Sequence, residues 1–152
     1  HLYQRRANIR VEDNPLPPAF LVATCSMKVV EGAVIATAKL VGKAGADMCK
    51  ITLSIQRKTA SKWTSLKSWT VTEEARSANI KGMLDAVPGD TYRAIADMVI
   101  TVSGESTSVT KTSNTIKHDI QKERNMKRNY VYVAVISCVI LLAGSLAGCQ
   151  NT

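Results

Sequence analysis

The sequence predicts an all-β fold, a seven-stranded antiparallel sandwich, followed by a C-terminal hydrophobic helix. Three stretches carry this prediction, because apolar side chains occupy every second position in Gly32–Val41, Cys49–Gln56 and Tyr92–Val102. An alternation of period two gives a strand one face for a core and one face for water, as antiparallel sheets require.

Four weaker strands complete the predicted sandwich: Leu21–Val30, Trp63–Val71, Ala78–Leu84 and Thr107–Thr115. Turn-forming residues lie between the strands, for example Glu31-Gly32 and Pro88-Gly89-Asp90. Seven short strands at this spacing favour two sheets packed face to face. The Thr107–Thr115 run is rich in serine and threonine, and we expect it to be an edge strand.

The sandwich domain is expected to span residues 20–116. Residues 1–19 mix charges of both signs and end in Pro15, Pro17 and Pro18, which predicts a flexible lead with a stiff, Pro-rich linker. An edge strand through Ile9 and Val11 is the alternative for this segment. Residues 117–128 are predicted to form a basic polar linker.

The composition excludes several classes of function. The net charge of +8 is spread along the chain and aromatic residues make up only 5%, so no nucleic-acid partner is predicted. The two histidines, His1 and His118, lie near opposite ends, and no Cys/His spacing is typical of zinc, so we expect no metal and no other cofactor. Motifs of nucleophilic, phosphate-binding and metalloprotease sites are missing from the sequence, which predicts a protein that is not an enzyme.

Two tryptophans are candidates for a binding surface. Trp63 and Trp69 are six residues apart and would share one face of a regular strand. In one interpretation they pack: Trp63 closes an end of the sandwich while a bulge turns Leu66 inward. In the other, both rings form an exposed shelf that stacks on a sugar or a peptide.

Two cysteines of the sandwich, Cys25 and Cys49, both fall on inward positions of their predicted strands. In an oxidising compartment a disulfide between them would close a loop of about two dozen residues and stabilise the fold by about 3 kcal/mol. Two buried, reduced thiols are the alternative, since free cysteine is common in protein cores.

The chain also resembles a group of known proteins over roughly residues 20–116. The features that match are the strand ending in Gln56-Arg57, the strand from Trp63 to Trp69, and Tyr92-Arg93 opening a late strand. With these features the chain resembles small, uncharacterised secreted β-sandwich proteins of Gram-positive gut bacteria and, more distantly, fibronectin III and immunoglobulin-like modules. The resemblance implies an exported, non-catalytic domain and supplies no functional residues.

The C-terminal segment is predicted to be a membrane or signal-like helix over residues 129–149. After Lys127-Arg128, nineteen residues from Tyr130 to Gly148 carry no charge. As a helix they would extend roughly 28 Å, close to the thickness of a bilayer core. The final Leu146-Ala147-Gly148-Cys149 resembles the lipobox of bacterial lipoproteins. Two interpretations stay open: a signal peptide that starts at Met126 of an adjoining reading frame, or a C-terminal membrane anchor.

These observations together predict a non-catalytic binding module. We expect it to lie outside a bacterial cell or on its surface, associated with a membrane through the C-terminal segment, and to recognise a protein or a glycan. The alternative is a structural or assembly subunit in which the Thr107–Thr115 edge strand pairs with a strand from a neighbour.

Overall fold

The computed structural model describes residues 15–119, 124–125 and 127–137 of the 152-residue chain. Its strands, in chain order, are β1 (Phe20–Val30), β2 (Ala33–Gly42), β3 (Ala46–Thr59), β4 (Lys62–Glu73), β5 (Ser77–Asp85), β6 (Thr91–Val102), β7 (Glu105–Thr112) and β8 (Ile116–Lys117). Each of the seven predicted strands is present. The two-residue β8 is one more strand in this part of the chain.

The strands form two antiparallel sheets. The smaller sheet has the order β1-β2-β5, and the larger has the order β4-β3-β6-β7, with β8 pairing to β6 beyond the end of β7. Glu31-Gly32 and Ser103-Gly104 make tight two-residue turns between β1 and β2 and between β6 and β7, and all four residues have positive φ, which suits the twist of a hairpin. The predicted two-sheet antiparallel sandwich is therefore confirmed.

The core lies between the sheets and is built from the alternating apolar positions. In the central strands β3 and β6, every second side chain from Cys49 to Ile55 and from Tyr92 to Ile100 has no exposed surface. Val34, Ala36 and Leu40 of β2 face them from the smaller sheet and are equally buried. Burying one large aliphatic side chain contributes about 1.5–3 kcal/mol, so this dry layer is the main source of stability.

A serine ends strand β7 at Thr112, three residues before the predicted end at Thr115. The Ser113 N–H donates to the Ala94 carbonyl at 2.9 Å, but the Ala94 N–H donates to the Ser113 hydroxyl at 2.8 Å instead of to a carbonyl. The hydroxyl in turn donates to the Asn114 carbonyl at 2.8 Å. The side chain of Ser113 thus replaces one step of the backbone ladder, and regular pairing resumes only at β8.

The packed structure reaches His118, two residues beyond the 20–116 range assigned to the sandwich from the sequence. Lys117 pairs with Thr91, and the His118 backbone exchanges hydrogen bonds with the 89–90 turn: Gly89 N–H to His118 O and His118 N–H to Asp90 O, both 2.8 Å. His118 is only 7% exposed.

The described part of the C-terminal segment is helical at residues 124–125 and 127–137, and its large apolar side chains, from Tyr130 to Ile136, are exposed. No helix in the described residues is both long enough and apolar enough to cross a bilayer. The rest of the predicted 129–149 helix, including the lipobox residues Leu146, Ala147, Gly148 and Cys149, lies outside the described residues. So do residues 1–14 of the predicted lead.

Replacing Ser113 by alanine should destabilise the sandwich by about 1–3 kcal/mol, because the buried Ala94 N–H would lose its acceptor. Urea denaturation followed by circular dichroism would measure the change. Ser108→Ala, at an exposed outward position of β7, is the matched control and should shift stability by less than about 0.5 kcal/mol. Equal stability of the two variants would contradict this role for Ser113.

Candidate functional site

A β-bulge in strand β4 decides where the two tryptophans point. Ile55 of β3 pairs with Lys67, but the next residue, Gln56, pairs with Ser65, so Leu66 is an extra residue on β4. Residues directly opposite each other in an antiparallel pair share a face, and one extra residue reverses the alternation. The bulge therefore sends Trp69 and Trp63 to opposite faces of the larger sheet.

Trp69 points inward and fills the gap between the edge strands β4 and β5. It pairs with the fully buried Leu53 and packs against the core while remaining partly exposed. Its ring lies directly over Gly82 of β5, where a Cβ atom would come within 2.4 Å of two ring carbons. Only glycine leaves room for the indole at this position.

Trp63 points outward and stacks with an arginine from the neighbouring part of the sheet. The guanidinium carbon of Arg93 lies 4.3 Å from the centroid of the Trp63 ring, within the range of a cation–π contact. Arg93 Nε also donates a 2.8 Å hydrogen bond to Gln56 Oε1, and these two residues pair across β3 and β6. Trp63, Arg93 and Gln56 together form what we call the Arg93 cluster.

The two-ring shelf therefore does not form, because the bulge separates the rings. The packing interpretation holds for Trp69 alone: Leu66 stays 40% exposed, and Trp63 joins the outer face instead of closing the core. The bulge at Leu66 that the packing interpretation included is present, but it leaves Leu66 exposed and turns Trp63 outward.

The outer face of the larger sheet is lined with hydroxyl groups beyond the Arg93 cluster. Serine and threonine side chains on neighbouring strands bond each other in rows: Ser54 with Ser68 at 2.7 Å, Thr52 with Thr70 at 3.3 Å and Thr101 with Ser106 at 2.9 Å. Thr110 donates to the Asp97 carboxylate at 2.6 Å on the same face. Such cross-strand pairs stabilise a sheet while leaving part of each hydroxyl's bonding capacity to solvent or to a ligand.

The charge around the Arg93 cluster is positive. Lys58, paired with Trp63, and Lys117, paired with Thr91, are both exposed on this face. The salt bridge from Arg57 to Asp90, 3.3 Å long, does not involve Arg93. The cluster thus presents a guanidinium outside that salt bridge, with two lysines nearby.

A groove lies between the edges of β1 and β7. Its volume is about 460 Å³, and it is lined by Pro15, Leu16, Ala23, Thr24, Cys25, Lys111 and Thr112. Burial raises the pKa of the Cys25 thiol to about 11, although a hydrogen bond from the Ser113 backbone partly opposes the rise. The thiol is therefore protonated at neutral pH and a poor nucleophile.

Cys25 and Cys49 are free thiols, so the disulfide considered from the sequence is not formed. Cys25 lies beside Ser113, which pairs with Ala94, whereas Cys49 pairs with Ile100. Six residues of β6 separate these two levels, roughly 20 Å, and a disulfide needs Cα atoms within about 7 Å. Cys49 is fully buried, and burial raises the pKa of its thiol as well.

The described residues hold no group of three His, Cys, Asp or Glu side chains that could ligate a metal ion. Sequence reasoning did not single out Arg93 or Gln56 as site residues. Both lie at outward positions of their strands, but their meeting depends on the register between β3 and β6, which alternation does not reveal.

Comparison with known proteins shows only remote similarity. The chain matches no protein-family model and no curated protein. Among solved structures, the crystal structure of Parabacteroides merdae β-glucuronidase is similar with 10% identity and a TM-score of 0.41, over 61% of this chain and 13% of that chain. The solution structure of R. palustris CsgH is similar with 14% identity and a TM-score of 0.36, over 64% of this chain and 94% of that chain.

A third solved structure is the sporulation control protein Spo0M of Bacillus subtilis, with 13% identity and a TM-score of 0.31, over 60% of this chain and 48% of that chain. The chain thus spans about an eighth of the glucuronidase and about half of Spo0M. Similarity at this level carries no argument about function, which has to come from the site itself.

Replacing Gly82 by alanine should destabilise the fold by about 1–3 kcal/mol, because the new methyl group would collide with the Trp69 ring. Elsewhere in a strand the same substitution is favourable, so the sign of the effect tests the contact. Urea denaturation would measure it, in a double-mutant cycle with Trp69→Leu. If Gly82→Ala costs as much in the Trp69→Leu background as in the wild type, the two residues do not interact as described.

Proposed function

We propose that this chain is a non-catalytic binding module, acting at a bacterial cell surface or in association with a membrane, that recognises a glycan on the outer face of its larger sheet. The observation that carries the proposal is that the Arg93 cluster and the hydroxyl rows lie next to each other on one exposed face. Ser54 and Ser68 lie in the row next to Gln56 and Arg93, because Ser54 pairs with Ile95, two residues from Arg93.

The chemistry of this face suits a polyhydroxylated ligand. A serine or threonine hydroxyl offers one donor and two acceptor positions, so a cross-strand pair keeps capacity for the hydroxyls of a sugar. The half-exposed Trp63 adds an aromatic surface of the kind that receives the apolar side of a sugar ring. A sheet whose strands are already hydrogen-bonded to one another also loses little conformational freedom when a ligand binds.

The non-catalytic part of the proposal rests on the residue types. Guanidinium, amide and hydroxyl groups bind and orient a ligand, but none of those in the Arg93 cluster is a general base near neutral pH. The cysteine thiols of the sandwich lie away from this face and have raised pKa values.

The strand order supports an immunoglobulin- or fibronectin-like form of the sandwich. In immunoglobulin constant domains the first, second, fourth and fifth strands form one sheet, and the third, sixth and seventh form the other. Here β1, β2 and β5 form one sheet and β3, β6 and β7 belong to the other, while β4 has joined β3. Sandwiches of this form present their ligand sites on loops, faces or edges, so the fold fits a binding role without specifying it.

Membrane association is supported by the C-terminal helix. Lys127 and Arg128 open the helical residues 127–137, and the exposed apolar side chains Val131, Val133 and Ile136 follow them. Basic residues beside an apolar helix are typical of segments that associate with a lipid surface.

Assembly through an edge strand is the second candidate function, and a specific contrast between the edges favours β1 as the pairing strand. Lys67 on β4 and Lys111 on β7 occupy inward positions, paired with Ile55 and Ala96, a placement that discourages edge-to-edge pairing. On the smaller sheet, the edge strand β5 carries two charged residues, Lys81 and Asp85, whereas the eleven-residue β1 carries no inward charge and has Lys28 as its single charged residue. This differs from the sequence-based expectation, which placed the pairing edge on Thr107–Thr115.

For the glycan-binding role, Trp63→Ala in the 152-residue chain should abolish binding on a glycan array while leaving stability within about 1 kcal/mol of wild type, because its ring contacts Arg93 and not the core. Trp69→Phe is the matched control, since it changes an inward ring and should leave binding intact. Full retention of binding by Trp63→Ala would contradict the proposal.

For the assembly role, the expected result is concentration-dependent association of the chain in sedimentation velocity, weakened by Cys25→Lys. That substitution places an inward charge on the edge of β1 where the side chain can reach the open groove. Lys111→Ala, which removes an existing inward charge from β7, should not weaken association. A strictly monomeric wild type at all concentrations would rule out this role.

A further inference from the structure

The guanidinium of Arg93 is fixed in place from two directions before any ligand arrives. Its plane stacks on Trp63 at 4.3 Å, and its Nε is bonded to Gln56 Oε1 at 2.8 Å. A free arginine side chain loses considerable rotamer freedom when it binds a ligand, and here the protein has already restricted that freedom. Arginine held in this way is arranged for recognition.

The remaining hydrogen-bond donors of Arg93 are on its two terminal nitrogens. Arginine has five N–H donors, and the bond to Gln56 engages Nε alone. The salt bridge between Arg57 and Asp90 does not involve these nitrogens. The carboxylate of Asp97 shares the outer face, but it lies four residues along β6, roughly 13 Å away, and it already accepts a hydrogen bond from Thr110.

Two lysines extend the positive charge around Arg93. Lys117 pairs with Thr91, two residues from Arg93 on β6, and Lys58 follows Arg57, which pairs with Tyr92. Thr91 is therefore flanked by Lys58 on one side and by Lys117 on the other. Three cations thus lie on a small area of an otherwise hydroxyl-lined face.

We infer that the Arg93 cluster binds the carboxylate of an acidic glycan, which deepens the proposed glycan-binding function and rests on it. The planar fork of arginine matches the two oxygens of a carboxylate in a bidentate pair, and Lys58 and Lys117 add favourable charge. The hydroxyl rows continue from this point across the sheet, so the carboxylate anchors one sugar while its neighbours in the polymer lie along the rows.

The groups around Arg93 favour a glycan over other anionic polymers. Nucleic acid requires a long basic track with several aromatic rings, and the area around Arg93 offers three neighbouring cations and one indole. An acidic peptide would leave the hydroxyl rows without matching groups. A sugar acid uses both the charge and the hydroxyls.

The experiment measures binding of the 152-residue chain to polygalacturonate, alginate and hyaluronate, each as the free acid and as its methyl ester, by biolayer interferometry. Esterification removes the charge and keeps the sugar. At least one free acid should bind about tenfold more tightly than its ester, the ratio expected when a charge-assisted bidentate contact is lost. That preference should decline between 50 mM and 500 mM salt, because the Debye length shortens over this range and screens the charges more strongly.

Variants of Arg93 distinguish a bidentate contact of its guanidinium from general electrostatic attraction. Arg93→Gln should weaken binding of the acid by about tenfold and leave binding of the ester unchanged. Arg93→Lys should recover less than half of that loss in free energy, because an ammonium cannot make the bidentate contact. Lys39→Gln is the matched control: it removes one positive charge from an exposed position of β2 on the smaller sheet, away from the Arg93 cluster and the hydroxyl rows, and should leave both affinities unchanged. Thermal melting of each variant checks that it is folded.

Each contrary result has a distinct meaning. Equal binding of acid and ester forms, abolished by Trp63→Ala, would overturn the carboxylate site and leave the glycan-binding function intact. Equal weakening by Arg93→Gln and Lys39→Gln would overturn it in favour of general charge attraction. Poly-L-glutamate binding as tightly as the acid glycans would overturn the choice of glycan. Lack of binding to every polymer tested would overturn both the site and the proposed function.

Discussion

The strict two-residue alternation of the paired strands β3 and β6 is the constraint on which the rest of the structure depends. Once Ile51, Leu53 and Ile55 are committed to the dry layer, the residues between them are committed to the outer face. Arg93 is likewise committed to the outer face, because it lies between the buried Tyr92 and Ala94. The outer face is thus fixed by the packing of the inner one, and its polar residues share the rigidity of the core.

The bulge at Leu66 adds the one irregularity that the candidate site needs. Without it, Trp63 would continue the inward alternation of Trp69 and would compete for space at the end of the sandwich. With it, Trp69 covers the core over Gly82, and Trp63 becomes available to hold Arg93. A bulge in an edge strand costs little pairing, because the outer side of β4 has no strand to match. One extra residue therefore creates an aromatic contact on the outer face without weakening the core.

The sequence predicted the elements of this fold far better than their register. Alternation located all seven strands and placed Cys25 and Cys49 on inward faces, because burial on one side of a sheet imposes a period that can be read locally. Alternation does not show how far along the sheet a residue lies. It could therefore not show that Cys25, beside Ser113, and Cys49, beside Ile100, are far apart. The pairing of Gln56 with Arg93 and the bulge at Leu66 are also properties of how two strands meet. Both come from tertiary packing, which explains why the strands could be predicted and the Arg93 cluster could not.

The distribution of charge on the larger sheet separates its edges from its outer face. Lys67 and Lys111 point inward at the two edge strands, where a neighbouring strand would have to bury them to pair, and burial of an unpaired ammonium is unfavourable. On the outer face, Arg93, Lys58 and Lys117 meet no such obstacle, because a ligand can approach from solvent. Lysine is sufficient at the edges, where a mobile charge only has to stay hydrated, whereas Arg93 offers a planar donor pair that matches a carboxylate. The cations of this sheet thus have two roles: those at the edges oppose pairing with another strand, and those on the outer face are open to a ligand.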